Sequence, residues 1–250
     1  MQRNTGPEPG SPFLTAEWRY LAMLNYEVEP DRLMPLVPKG TELDTHDGKT
    51  FVSMVGFLFL NTRVMGLAIP FHRDFEEINL RFYVRRKAED GWRRGVVFVK
   101  EIVPRTAIAL TARWLYNENY VALPTGNVVV RSQVNSANIE SVTYYWTFRS
   151  KAHSIELTTR GEPDHFVEGS QEEFIVQHHW GYTSQKDGGT IEYQVEHPPW
   201  RIWQGQSGRL TCDVDKLYGQ RFVGALSAQP SSVFLAEGSK IAVYKGRRIG

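Results

Sequence analysis

IPFHRDFEEINLRFYVRRKAEDGWRRGVVFVKEIVPR, from Ile69 to Arg105, is the stretch that decides how this chain reads. Two strand-like runs flank Glu89-Asp90-Gly91, which marks a hairpin. The first run alternates with period two. Ile78, Leu80, Phe82 and Val84 share one face; Glu77, Asn79, Arg81 and Tyr83 share the other. The second run is apolar on both faces. Strict alternation puts Val96, Phe98, Lys100 and Ile102 on one side and Val97, Val99, Glu101 and Val103 on the other. A strand apolar on both faces is usually covered on both. Lys100 and Glu101 therefore stand where charge is costly and needs a partner. Two readings fit them: a structural ion pair, or the wall of a pocket. The polar face of the first run is open in the same way. It borders water, or it lines a lumen suited to a small polar molecule.

Outward from this hairpin, short strands recur between turn signals. Residues 1–14 read as a flexible leader, with Gly6, Pro7, Pro9, Gly10 and Pro12. Glu17–Val28 leans towards strand. Pro30 to Val37 carries one or two helical turns, stopped by Pro38. Thr41–Asp44 is a short strand and Phe51–Leu60 a long apolar one. From Thr106 to Tyr120 the period changes: Ile108, Ala112, Leu115 and Tyr116 recur at helical spacing, with Thr106 as cap. Val128–Val134, Glu140–Ser150 and Ser154–Arg160 are strands. Ser170 and Glu173 form a capping box that opens a short helix. Strands at Thr190–Glu196 and Trp200–Trp203 follow, then a helical segment at Asp213–Phe222. Ser232–Ala236 and Lys240–Lys245 read as a closing hairpin over Glu237-Gly238. The pattern is mainly β (α+β), a single antiparallel barrel or sandwich over residues 15–250 with a few peripheral helices.

Composition narrows the classes. Lys and Arg number 29 against 28 Asp and Glu, a net charge of +1, so nothing draws the chain to nucleic acid or an anionic membrane. No apolar run reaches the length of a membrane span. The N-terminus MQRNTGPEPGSP lacks the apolar core of a secretory signal. The single Cys212 excludes an internal disulfide framework and suits a reducing compartment, which points to the cytoplasm.

Familiar catalytic motifs are missing: no G-x-S-x-G elbow, no G-x-G-x-x-G, no P-loop. No cofactor is expected. His178 and His179 are adjacent, so on a helix they point about 100° apart and do not chelate one metal. No metal site is expected either. Trp200 and Trp203 bracket Arg201 in EHPPWRIWQG; with a balanced charge this reads as barrel wall rather than a base-stacking platform. Gly181-Tyr182 is placed to line a cavity mouth.

Phe71 to Arg86, RGVVFVKEIVPR and QHHWGYTSQKDGGTIEYQVEHPPW together resemble the uncharacterised bacterial YqjF-like family, from about Thr15 onward. That family falls in the acetoacetate decarboxylase-like superfamily. Local echoes of the decarboxylase are Arg19 ahead of Val37-Pro38, Leu43-Asp44, the step Gly66 to Pro70, and Glu101 ahead of Pro104. The resemblance implies a cone-shaped antiparallel β-barrel with a central pocket, in which Arg19 and Glu101 take polar positions. Two departures bear on the chemistry. The decarboxylase follows its proline with two lysines, one forming a Schiff base; here Pro104 is followed by Arg105 and Thr106. The decarboxylase has a carboxylate before the Gly-x-Ala-Ile-Pro step; here Arg63-Val64-Met65 stands there.

The expectation is a barrel that binds a small anionic or carbonyl-bearing molecule through Arg19, Asn79, Arg81, Tyr83, Glu101 and Arg105. Glu101 should be buried and paired with Arg105, Arg81 or Arg19. Two alternatives stand: a non-enzymatic assembly module with a filled barrel, and a divergent lyase using Lys100. Homo-oligomerisation, and whether the protein is an enzyme at all, are left open by the sequence.

Overall fold

The chain forms strands β1 (Leu14–Glu27), β2 (Glu42–Leu43), β3 (Phe51–Val64), β4 (Leu67–Ala68), β5 (Phe75–Ala88), β6 (Gly91–Val103), β7 (Tyr120–Ala122), β8 (Thr125–Arg131), β9 (Ile139–Phe148), β10 (Lys151–His165), β11 (Trp180–Ser184), β12 (Thr190–Glu196), β13 (Arg201–Thr211), β14 (Ser232–Val243) and β15 (Arg247–Ile249). Short helices are α1 (Pro30–Leu33), α2 (Gln171–Val176), α3 (Val214–Tyr218) and α4 (Val223–Leu226). They belong to a computed structural model that describes residues 10–69, 72–104 and 119–249. The helix expected at Thr106–Tyr120 falls almost wholly outside those residues.

The strands close into a ring. The hydrogen-bonded order runs β12, β11, β6, β5, β3, β1, β14, and β12 pairs again with β14 through Val195 opposite Val243. From β14 the sheet branches into β13, β10, β9 and β8, which fold back over the outside of the ring. Most pairings are antiparallel, as expected, but β6 runs parallel to both β11 and β7.

This layering explains why β3, FVSMVGFLFLNTRV, is apolar on both faces. Its outward side chains, Val52 and Met54, meet Val142, Tyr144, Ile155 and Leu157 of the overlying sheet in one core. Its inward side chains, Phe51, Val55, Phe57 and Phe59, belong to a second core inside the ring. The layers approach closely at Gly56, where an added Cβ would lie 2.6 Å from the Tyr144 ring. On β5, Ile78, Leu80, Phe82 and Val84 are all completely buried in the outer core, as their alternation requires.

Three local readings need correction. On β6, Lys100 faces Leu80 but Phe98 faces Arg81, so Val99 is an extra residue. Such a bulge reverses the inside–outside alternation. Val96, Phe98 and Glu101 thereby share the inner face, while Val97, Lys100 and Ile102 point outward. Strict alternation had placed Phe98 with Lys100. Second, Ser232–Val243 is one continuous strand and not a hairpin. Gly238 has φ +78°, and a Cβ there would come within 2.0 Å of the Trp18 carbonyl; the glycine allows close strand approach rather than a turn. Third, β13 extends well past Trp203 to Thr211.

Candidate functional site

The inner faces of the ring enclose a cavity of about 350 Å³. Its polar groups stand chiefly on one stretch of wall. Glu77, Asn79 and Arg81 project from β5, and Glu101 projects from β6 opposite Asn79. The polar face of β5 thus lines a lumen from Glu77 to Arg81 rather than bordering water, whereas Tyr83, expected on the same wall, does not line it and packs against Phe174. Glu77, Asn79 and Glu101 are each no more than 3% exposed.

Arg81 is held from behind. Its Nε donates to Tyr83 Oη at 3.4 Å, and its Nη2 donates to the Ile175 carbonyl at 3.1 Å. Tyr83 is buried and its hydroxyl lies 2.5 Å from Ser53 Oγ. Ser53 donates to Asn25 Oδ1 at 2.6 Å, and Asn25 Nδ2 donates to Ser232 Oγ at 2.9 Å. The donors therefore run in one direction along a buried chain, which orients the guanidinium and satisfies each member. Among the described residues no carboxylate lies within ion-pair distance of Arg81.

The Ile175 carbonyl comes from α2, whose N-cap bond is present: Ser170 Oγ accepts from the Glu173 amide at 3.2 Å. The Glu173 carboxylate reaches back to the Gly169 amide at 2.7 Å and not to that of Ser170, so the expected capping box is only half formed. The helix stops at Val176. Its Phe174 ring plugs this end of the barrel against Tyr83, Phe51 and His46. Two residues later His178 enters the cavity wall. It is buried, and neither ring nitrogen has a hydrogen bond of good geometry among the described residues, although the Ile175 carbonyl lies near. Burial, then the charges of Arg94 and Arg81, push its imidazole well below the usual histidine range. His197 also lines the cavity, between His179 and Trp200. Burial pushes it down to about 4.

Glu77 accepts from Asn79 Nδ2 at 3.0 Å and from Tyr120 Oη at 3.2 Å. Burial nevertheless raises its carboxyl to about 7, against those bonds and the Arg81 charge. Folded Glu77 thus keeps its proton in a range where the unfolded chain has lost it. Its contribution to stability is complete below the ordinary 4.5 and fades as pH rises to about 7. Glu77→Gln is expected to remove about 3 kcal/mol of stability loss between pH 4.5 and 7.5. Urea unfolding at both pH values checks this; an unchanged pH slope in the variant would refute it.

The remaining sequence candidates separate. Arg19 does not line the cavity. Its guanidinium is paired with Glu17 at 2.9 Å and reaches the Gly238 carbonyl. Tyr20 has φ +54° within an irregular β1–β3 register, so Trp18 and Leu21 face inward and Arg19 faces away. Of the arginines expected beside Glu101, Arg81 therefore shares its cavity and Arg19 does not. Arg105 lies outside the described residues. Lys100 also points away: its Nζ donates to the Leu217 carbonyl and sits 5.8 Å from the Tyr218 ring centre. Gly181 and Trp200 line the cavity, but Tyr182, expected beside Gly181 at its mouth, lies in the outer core with Trp203, its hydroxyl hydrogen-bonded to the Arg93 carbonyl and to Glu192. Glu77, His178 and His197 were missed as site residues. The period-two face already joined Glu77 to Asn79 and Arg81; nothing in the sequence marked the histidines. No group of three or more His, Cys, Asp or Glu residues capable of holding a metal occurs among the described residues. No helix among them is long and apolar enough to cross a membrane.

Comparison with known proteins agrees with this architecture. Residues 15–240 match the model of DUF2071, a family described as an uncharacterized conserved protein. The uncharacterized protein YqjF of Bacillus subtilis (strain 168) is 25% identical over 207 residues, 82% of this chain and 81% of its own length. Among solved structures, the enduracididine biosynthesis enzyme MppR complexed with pyruvate superposes with a TM-score of 0.68 at 13% identity, covering 98% of this chain and 93% of that one. Acetoacetate decarboxylase from Legionella pneumophila subsp. pneumophila str. Philadelphia 1 gives 0.65 at 12% identity, again covering 98% and 93%. The barrel is therefore acetoacetate decarboxylase-like in fold.

Proposed function

The chain belongs to the DUF2071 family, and on that premise we propose that its barrel binds a small carboxylate- or carbonyl-bearing molecule, held at its charged end by Arg81. The carrying observation is a cationic side chain inside a closed barrel, oriented by a buried hydrogen-bond chain, with no carboxylate partner among the described residues. Arg81 is half-buried, and a cation partly withdrawn from water with no carboxylate partner among the described residues gains from pairing with an incoming anion. Asn79, Glu101 and Glu77 supply the neighbouring polar wall, and Tyr83 acts through Arg81. The neighbour MppR is described as complexed with pyruvate, a small 2-oxo carboxylate, which supports this ligand class. An open cavity weighs against a filled barrel.

The test is melting temperature with and without pyruvate or acetoacetate, in the parent and in Arg81→Gln. A saturable upward shift is expected with the carboxylates and not with pyruvamide. Arg81→Gln should weaken carboxylate binding roughly 10- to 100-fold, the value of a charge-assisted hydrogen bond. Equal shifts in parent and variant would remove Arg81 from the role.

Schiff-base chemistry has no support. It needs a lysine amine in the cavity, neutral near pH 7, beside the substrate carbonyl. No lysine is among the described residues that line the cavity, and none occurs between 105 and 118. Burial does lower the Lys100 amine, but the side chain is turned to the opposite face. Incubation with acetoacetate and borohydride is expected to leave the intact mass unchanged. A reduced adduct mapped to Lys100, with carbon dioxide release lost in Lys100→Ala, would overturn this.

A further inference from the structure

We propose that the molecule held at Arg81 has an apolar body of aromatic or branched-aliphatic character, and is not a compact polar acid such as pyruvate. This rests on the carboxylate reading above and narrows it. The cavity is divided along the barrel axis. Starting from Arg81 on β5, the inward residues are Asn79, Glu77 and then Phe75. Beyond Glu77 the wall becomes aromatic. Phe75 lies opposite Phe59 on β3, and Phe59 lies opposite Trp18 on β1. Phe59 and Phe75 stack with ring centres 4.8 Å apart. Trp18 meets Phe57, Phe59 and Trp200 edge-on at 5.5, 5.8 and 6.2 Å.

Further out, Leu14 is flanked by Val64 on one side and Val243 on the other, and all three line the cavity. The Trp200 indole N–H is already given to Ser239 Oγ at 2.8 Å. The polar exceptions at this end are Thr62, His72, the Trp18 indole N–H and His197, whose ring stacks on Trp200 with centres 4.3 Å apart. Arg81 and Glu77 stand four residues apart on β5, so a ligand with its carboxylate on Arg81 and a body that extends past Glu77 would bury that body among these side chains. Pyruvate ends before reaching them. Burying a phenyl-sized group among such side chains releases apolar surface from water. Binding at least roughly tenfold tighter than that of pyruvate follows.

The experiment is isothermal titration of the full chain with pyruvate, 3-phenylpropionate and 3-phenylpropionamide. It uses the parent, Arg81→Gln, and Val243→Trp, which fills the aromatic end without touching the polar wall. Tighter binding of 3-phenylpropionate than of pyruvate, lost in Val243→Trp while pyruvate binding survives, is the expected result. Circular dichroism and melting temperature establish that each variant is folded. If Val243→Trp does not fold, Phe75→Leu replaces it and should weaken 3-phenylpropionate selectively. Equal affinity for the two acids would overturn the apolar-body inference and leave the carboxylate reading intact. Equal affinity for acid and amide, unaffected by Arg81→Gln, would overturn the carboxylate reading instead. Failure of all three ligands to bind would sink both.

Discussion

Replacing Glu192 by alanine is expected to lower the free energy of unfolding by about 3–5 kcal/mol, the cost of leaving buried charge without its partner. Glu192 sits on β12 and is about 1% exposed. Its Oε1 accepts from Arg86 Nη1 at 3.0 Å and from Tyr182 Oη at 3.2 Å. Its Oε2 accepts from Arg93 Nη1 at 2.8 Å and Arg247 Nε at 2.9 Å. One carboxylate therefore ties β5, β6, β11, β12 and β15 together beside the parallel β6–β11 pairing. The arginines do not share the loss equally. Arg247 is largely solvated and can return to water at little cost. Arg93 keeps Asp90 at 2.7 Å and its position over the Trp180 ring. Arg86 is the partner left poorest, at 22% exposure with Glu192 as its ion pair. Equilibrium urea unfolding at pH 7 measures the loss. A change below about 1 kcal/mol would show that the cluster behaves as ordinary surface charge.

Phe82→Ala is expected to cost a similar amount, about 3–5 kcal/mol, by a different route. Phe82 has no exposed surface and lies in the core between the ring and the overlying sheet. It pairs with Val52 on one side and Val97 on the other, so both neighbouring strands brace it. Rigid strands on either side keep the site from collapsing into the space left behind, and the cavity term adds to the lost transfer energy. Thermal and urea unfolding with an unchanged m-value would be the expected signature. A variant that melts within a degree or two of the parent would mean that β5 presents its other face to this core.

The face assignment of β5 was legible because period two needs only the strand's own residues. The sequence left the polar face of β5 open between water and a lumen; the closed ring of strands decides for the lumen. What alternation alone misses is a shift in register. Val99 is an ordinary valine in an apolar run, yet as a bulge it carries Glu101 to the inner face with Phe98. At Tyr20 a second irregularity keeps Arg19 outside the cavity. Both depend on the partner strand, which the local sequence does not specify. Glu237-Gly238 reads as a turn by composition; only the closeness of the Trp18 carbonyl shows why the glycine is there. The Glu192 cluster was hidden for a related reason. Arg86, Arg93 and Arg247 reach it from distant parts of the chain, and in sequence Glu192 looks like the solvated half of an alternating strand. His178 carries no local signal at all: α2 ends two residues earlier and delivers it to the wall.

The central claim is that Arg81 holds a ligand carboxylate inside this barrel. Its most direct test is a crystal structure with 4-bromophenylacetate, located by the anomalous signal of bromine. The expected result is a carboxylate oxygen within about 2.7–3.2 Å of the Arg81 guanidinium, with the bromine towards Phe59 and Phe75. A bromine found only outside the barrel, or a carboxylate turned away from Arg81, would contradict the account.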